Sequence, residues 1–380
     1  MLVVIMRAAR FLEHVVVQTP EQQRLYFPCH AWFGEADCGG MRGPLERNLL
    51  PLAPGADVVA EPVRLTASGV AVPHPDKIRQ DGAKGVNRKG FGHGGEDAYF
   101  YAEGRNGVFA MGVADGVFMW RESGIDSGNF SRALMRLSES SVRGGCSDVV
   151  RVMQDAAAGA KAAGVQGSST VCIVLVDQEG GQLYAANLGD SGCLLLRPAS
   201  QAPQGGAGAA GGAAAGAGAG AAALSEPGMH DLHGAAIPEH SQTSLLSHSS
   251  QPAFTVKFRT NQLEHDFGRP YQLGHHAAAD SVEKCDVATQ PVRPGDVIVL
   301  GTDGLLDNLS DVEIAEEVAE LRATGAGPFA IAQRLARMAF EAAYDKYRST
   351  PYSAAASAHF DMVYSGGKPD DITVVCAVCE

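Results

Sequence analysis

Four carboxylates in this chain stand where an apolar run meets a turn. Asp97 opens the run DAYFYA, just after Gly94-Gly95-Glu96. Asp115 closes VFAMGVA and is followed by Gly116. Asp303 closes DVIVLGT and is followed by Gly304, and Asp370 precedes ITVVCAV. Asp190, within Gly189-Asp190-Ser191-Gly192, is a fifth. One Asp-Gly after a strand is ordinarily a turn. Acids at the ends of this many separate strands are not explained as turns. If they converge, like charges at close range cannot all stay ionised unless cations neutralise them. Oxygen-only ligands favour Mg²⁺ or Mn²⁺ over Zn²⁺. Two such ions sharing one carboxylate can activate a water and clamp a phosphate for in-line attack. No protein nucleophile is then required, and the sequence offers no GxSxG, no Cys-His pairing signal and no Walker-type loop.

The elements that must position these acids follow from periodicity. Val108 to Ala114 is an apolar run bounded by a turn, which predicts a buried strand. Gly116 lacks the Cβ that would block approach to its carbonyl. Glu96 and Asp97 are adjacent, and side chains alternate along a strand, so both cannot face the core. They form either a solvent-exposed edge or a ligand pair beside Asp115 on a neighbouring strand. TVCIVLVD and QLYAANLG predict a hairpin around Gly180-Gly181, followed by the strand CLLLRP. FTVKFRT, DVIVLGT and ITVVCAV predict further strands. Helical spacing predicts helices over 127–140, 147–163, 311–323 and 327–346, with 349–366 as a loop.

Composition narrows the function classes. A chain of 380 residues can bury one large domain plus extra segments. A net charge of −13 argues against nucleic acid as a partner. No apolar run approaches the roughly 20 residues of a membrane span. Only Cys376 and Cys379 make a CxxC, and it falls at a strand end, so the cysteines read as free thiols in a reducing compartment. The first residues, MLVVIMRAARFLEHVVV, carry no small-residue cleavage site and read as a poor signal peptide and a poor transit peptide. Residues 51–95 are Pro- and Gly-rich with one broken strand candidate, Val63–Thr66 then Val70–Val72, and 51–68 reads as a linker. The basic loop from Lys84 to Lys89 reads as a solvated surface. Residues 199–252, Ala/Gly-rich and then Ser/His-rich, lack periodicity and predict a disordered insert at a hairpin tip.

Two resemblances add to this. EHVVVQT, Tyr26-Phe27-Pro28-Cys29-His30-Ala31-Trp32 and Glu46-Arg47-Asn48-Leu49 resemble the closing strands of a PLAT (lipoxygenase-homology) β-sandwich. The match covers about 40 residues of the segment 1–50, less than half of such a domain, and two or three strands make no stable sandwich alone. GGEDAYF, VADGVFMW, GSSTVCIVLVD, ANLGDSG, GDVIVLGTDGLLDN and GGKPDDITVV, in this order over residues 69–380, resemble the metal-dependent serine/threonine phosphatases of the PP2C (PPM) family. DFGRPYQL and the closing motif resemble the organellar branch, which includes mitochondrial enzymes and the plant photosystem II core phosphatase.

This second resemblance implies an α+β fold, two antiparallel sheets between helix pairs in a four-layer α-β-β-α sandwich. It implies a phosphoprotein substrate and two Mn²⁺ or Mg²⁺ ions, with a weaker third. Asp115 would bridge both ions, joined on one by Glu96 and the Gly116 carbonyl. Asp303 and Asp370 would hold the other, Asp97 would orient a bound water, and Asp190 would serve the third. Asp371 stands where many relatives have Asn and is expected as a strut. Two departures matter. Val117 replaces the His that protonates the leaving group in many relatives, so water is expected to do so. The phosphate-binding Arg has no match, its slot holding Gly92 and its neighbours, with Lys77, Arg88 and Lys89 as substitutes. A monomer is expected, within the cell, in a mitochondrion or plastid. The alternatives are a pseudophosphatase or a PLAT-linked phosphoprotein-binding scaffold.

Overall fold

The computed structural model describes residues 62–105, 107–199 and 254–380, and the backbone of four strands nearer the start. Those are β1 (Leu2–Ile5), β2 (Arg10–Gln18), β3 (Arg24–Phe33) and β4 (Glu46–Leu49). β1 pairs with β4, and β2 pairs with β3, both antiparallel. The expected insert over 199–252, apart from its first residue, and the side chains behind the PLAT-like reading lie outside the described residues.

The chain then runs through β5 (Leu65–Val72), α1 (Pro75–Asp81), β6 (Val86–Arg88), β7 (Phe91–Gly94), β8 (Asp97–Glu103) and β9 (Val108–Asp115). A 3₁₀ turn at Phe118–Ser123 leads to α2 (Gly128–Gly144) and α3 (Val149–Ala162). Next come β10 (Ser168–Ser169), β11 (Val171–Asp177), β12 (Gln182–Leu188), β13 (Gly192–Pro198) and β14 (Phe254–Arg259). Short pieces β15 (Glu264–Asp266), β16 (Arg269–Pro270) and β17 (Leu273–Gly274) precede β18 (Asp286–Pro291) and β19 (Val297–Gly301). The chain closes with α4 (Asp303–Leu306), α5 (Asp311–Ala323), α6 (Pro328–Tyr344), α7 (Pro351–Phe360) and β20 (Ile372–Cys379).

Strand alternation explains the layers. In β19, Val297 and Val299 face one core and Ile298 and Leu300 another; in β20, Val374, Cys376 and Val378 alternate with Val375, Ala377 and Cys379 in the same way. In β9, Ala110 and Ala114 face α2 and α3, while Phe109, Met111 and Val113 face the other sheet. Strands buried on both faces read as continuous apolar runs. The result is a seven-stranded antiparallel sheet, β18-β12-β11-β9-β8-β7-β6, against a five-stranded one, β14-β13-β19-β20-β5. α2 and α3 cover the first sheet, and α4, α5 and α6 cover the second. This is the four-layer α+β sandwich expected.

Several expectations change. Leu65–Val72 is one strand, paired along its length with β20, so the sheet begins inside the stretch read as linker. The basic loop is partly strand: Val86, Asn87 and Arg88 pair with β7. Such short edge strands carry too few residues for an alternation to be read. Residues 351–360 form α7, where a loop was expected. Its sequence PYSAAASAHF has no apolar periodicity, and the helix is set instead by Pro351 and the reciprocal Thr350/Ser353 cap. Asp303 opens a helical turn rather than closing a bare one. β13 and β14 do pair, which puts 199–252 between two hairpin strands. Cys376 and Cys379 are free and buried on opposite faces of β20.

Phe100 is fully buried between α2 and its sheet and packs on Gly112. Phe100→Ala should lower unfolding stability by about 3–5 kcal/mol in urea titration. A loss near 1 kcal/mol would mean that this layer is loosely packed.

Candidate metal centre

The strand directions bring the acids together. Asp97 and Asp115 are register partners on the antiparallel β8 and β9. β19 delivers Asp303 at its end, β20 follows directly after Asp370 and Asp371, and these strands are neighbours in the other sheet. Asp190 lies in the turn between β12 and β13, which crosses from one sheet to the other.

Glu96 and Asp97 are both buried, so the pair is not a solvent-exposed edge, and the expectation that both could not face inward does not hold. Asp97 Oδ2 accepts a hydrogen bond from Thr302 Oγ1 at 2.8 Å. Asp371 is a strut, as expected. It accepts from the backbone N–H of His74 at 2.7 Å and of Glu96 at 2.8 Å, and from Lys77 Nζ at 2.5 Å. Two glycines make room for it. Gly95 has φ +60°, and a Cβ there would lie 2.2 Å from the Asp371 carboxylate. A Cβ on Gly304 would lie 1.9 Å from the Asp371 carbonyl oxygen.

Asp115 is held through its backbone. Its N–H donates to Thr170 Oγ1 at 3.2 Å, and Thr170 N–H donates back to its carbonyl at 2.9 Å. Gly116 N–H donates to the Glu96 carbonyl at 3.2 Å. A Cβ at Gly116 would meet the Ser127 carbonyl oxygen at 2.8 Å, so the glycine is required by close backbone approach.

Burial, then the neighbouring Asp303, pushes the Asp115 carboxyl well above the usual range, with Asp97, Asp370 and Asp190 adding to it. Burial and Asp371 raise Asp97, and burial and Asp303 raise Asp190. Asp370 is pushed up to about 7 by burial and then by Asp303. Burial raises Asp371 and Asp307 to about 6 each. Two acids go the other way. Burial would raise Glu96 and Asp303, but Lys77 and Lys368 respectively outweigh it.

Those cations were not foreseen in these roles. Lys77, named as a phosphate-binding substitute, is buried against Glu96, Asp371 and Asp370. Lys368 Nζ pairs with Asp303 and lies 2.9 Å from Asp307. Asn308 places it: the buried amide donates to the Lys368 and Gly304 carbonyls at 2.9 Å each and accepts from Lys368 N–H at 2.9 Å. Arg121 Nε donates to Glu96 Oε1 at 2.5 Å. Lys368 sits two residues before an acid pair and could have been flagged; Arg121 carried no pattern. The other two substitutes, Arg88 and Lys89, are exposed at the sheet edge. Gly92 cannot be replaced by a larger residue without displacing Tyr99, since its Cβ would lie 2.4 Å from that ring.

Among the described residues, no three His, Cys, Asp or Glu side chains stand at the spacing of a preformed metal cage. The acids form a cluster rather than closed coordination. The donor set nonetheless fits hard divalent cations. It is all oxygen, and Asp97 Oδ1, Asp190 Oδ1 and Asp303 Oδ1 are buried without a hydrogen-bond partner.

A two-sheet sandwich between helix pairs, with acids from both sheets meeting at one end, defines a class. The chain belongs to the protein phosphatase 2C family. It is 34% identical over 323 residues to the probable protein phosphatase 2C 55 of Arabidopsis thaliana, covering 84% of this chain and 53% of the relative. It is 30% identical over 318 residues to the protein phosphatase PTC7 homolog of Danio rerio, covering 79% of this chain and 86% of the relative. The X-ray structure of the photosystem II phosphatase PBCP superposes with a TM-score of 0.59 at 26% identity, over 83% of this chain and 99% of that one. The chain spans little more than half the length of the two Arabidopsis relatives it matches, 53% and 58%. No family model matches the chain. No helix among the described residues is long and apolar enough to cross a membrane.

The raised acids carry a stability consequence. Asp307, Asp370 and Asp371 hold protons in the folded protein up to about 6, 7 and 6, which the unfolded chain releases near 3.8. Their contribution is fully present below the unfolded value and is lost as pH rises through the folded one. His74 and His93, lowered chiefly by burial, act in the opposite sense but are fewer. Metal-free protein should therefore melt at lower temperature at about pH 7.5 than at about pH 5 by scanning fluorimetry, and Mn²⁺ should reverse that slope. A chelated protein whose melting point rises over this range would contradict the clustering.

Proposed function

We propose that the chain is a metal-dependent protein phosphatase acting on phosphoserine and phosphothreonine. The observation that carries this is the convergence of Asp97, Asp115, Asp190, Asp303 and Asp370: besides burial, the charge of Asp303 raises the other four, and Asp97, Asp190 and Asp370 also raise Asp115. Their mutual repulsion is reduced by divalent cations, for which Asp115, Asp303, Asp370, Asp190, Glu96 and the Gly116 carbonyl are the proposed holders. Manganese or magnesium bound there would supply Lewis acidity toward water and phosphate.

The remaining work falls to the protein. Asp97, fixed by Thr302, accepts a proton or orients a water at the cluster. Asp371 holds the Glu96 backbone and Lys77 in place. Lys77 and Lys368 limit the net negative charge that a phosphate dianion must approach. Val117 cannot donate a proton, so the leaving alkoxide takes one from solvent. The substrate is a phosphoprotein. Similarity to the photosystem II phosphatase supports a plastid setting, with a mitochondrion as the alternative. Residues 1–50 are read as a partial PLAT-like segment ahead of the phosphatase domain.

Hydrolysis of a phosphothreonine peptide tests the reading. Turnover should require Mn²⁺ or Mg²⁺, stop with chelator, and fall at least about a hundredfold in Asp303→Asn. Turnover that persists in chelator would contradict it; no turnover from a variant-free, manganese-loaded protein would favour the pseudophosphatase.

A further inference from the structure

Beside the acid cluster lies a feature of opposite sign. A pocket of about 470 Å³ is lined by Asp81, Lys84, His93, Arg121, Asp126 and Arg132, with the Gly95 backbone on its wall. It adjoins the metal centre directly, because Arg121 donates to Glu96 and Arg132 Nη1 donates to the Gly95 carbonyl at 3.1 Å. The two lining acids are already taken: Asp81 pairs with Arg121, and Asp126 with Arg132 at 2.8 Å.

The cations next to them are not. Lys84, Arg88 and Arg136 are exposed, and among the described residues none has a carboxylate within ion-pair distance. They form one patch. Arg136 lies over the Phe91 ring at 4.9 Å, Phe91 is the register partner of Arg88, and His93 on the same strand is lowered by burial and then by Arg132, Arg136 and Arg88. A protein of net charge −13 thus keeps a block of uncompensated positive charge at the mouth of its acidic site. Such a block attracts anions and repels basic segments.

We infer that this rim, formed by Lys84, Arg88 and Arg136 around the Arg121 pocket, is a substrate subsite that selects phosphopeptides with acidic residues beside the phosphorylated one. The inference rests on the phosphatase reading for the word substrate, but not for the binding. Arg121 marks the boundary between the two regions: its Nε is committed to Glu96, its guanidinium lies 5.3 Å from the Phe118 ring, and its side chain is about one-third exposed to the pocket. A phosphoryl group at the acid cluster would leave the flanking residues of its peptide over this rim.

The test uses the full chain and two fluorescent peptides that carry a non-hydrolysable phosphonate in place of phosphothreonine. One has Glu at the flanking positions and the other Ala. Anisotropy should show the Glu peptide binding about tenfold tighter, with the preference shrinking as salt rises. Lys84→Glu combined with Arg136→Glu should abolish the preference, and Lys84→Gln with Arg136→Gln should weaken it. Hydrolysis of p-nitrophenyl phosphate, which has no flanking residues, should be unchanged in both variants. Equal binding of the two peptides, or a preference that survives charge reversal, overturns the inference. If p-nitrophenyl phosphate is not hydrolysed while the Glu preference and its loss on reversal are seen, the subsite stands and the phosphatase reading falls.

Discussion

The site depends on a reciprocal clasp between the two sheets. Asp97, at the start of a strand in the seven-stranded sheet, accepts a hydrogen bond from Thr302 beside the five-stranded one. Asp371, beside the five-stranded sheet, accepts from the Glu96 backbone next to the seven-stranded one. Each carboxylate satisfies a donor from the opposite layer. Thr302 also accepts from Thr373 N–H at 3.1 Å, so the clasp continues into β20. A buried hydrogen bond contributes about 0.5–1.5 kcal/mol, and leaving its buried partner orphaned costs about 1–3 kcal/mol. Removing either acid therefore leaves donors unsatisfied at the place where the sheets must stay in register.

This arrangement sets stability against function. Burying several acids at one seam is unfavourable unless cations oppose them. Lys77 and Lys368 do so for Glu96, Asp371, Asp303 and Asp307. Among the described residues neither lysine makes an ion pair with Asp97, Asp115 or Asp190, and burial raises all three well above the usual carboxylate range. The protein thus offsets part of the charge of Glu96, Asp303, Asp307 and Asp371 with its own lysines, and divalent ions are proposed to offset the charge that remains on the cluster. A locally unfavourable cluster in an otherwise consistent fold is what a functional site looks like.

Much of the fold was legible because it is locally encoded. Strands buried on both faces read as continuous apolar runs, and α2, α3, α5 and α6 carried helical spacing. The acids were legible because each stands at the end of such a run. What escaped notice depends on other signals. α7 is set by caps and small residues rather than by an apolar stripe. β6 and β7 are too short to show alternation. Lys77 reaches Asp371 across 294 positions of sequence, and nothing near either residue announces the pair. Lys368 is placed by Asn308, 60 positions away. Glu96 was read as a simple ligand, yet Lys77 and Arg121 both engage its carboxylate.

The central claim is that acids from both sheets form one site for divalent ions. Calorimetric titration of the chelator-stripped protein with Mn²⁺ tests it most directly, compared with Asp115→Asn. The account predicts uptake of about two ions per chain in the unaltered protein. It predicts weakened uptake at both positions in the variant, because Asp115 is the acid the two would share. Uptake of no ion, or two ions bound unchanged in Asp115→Asn, would contradict it.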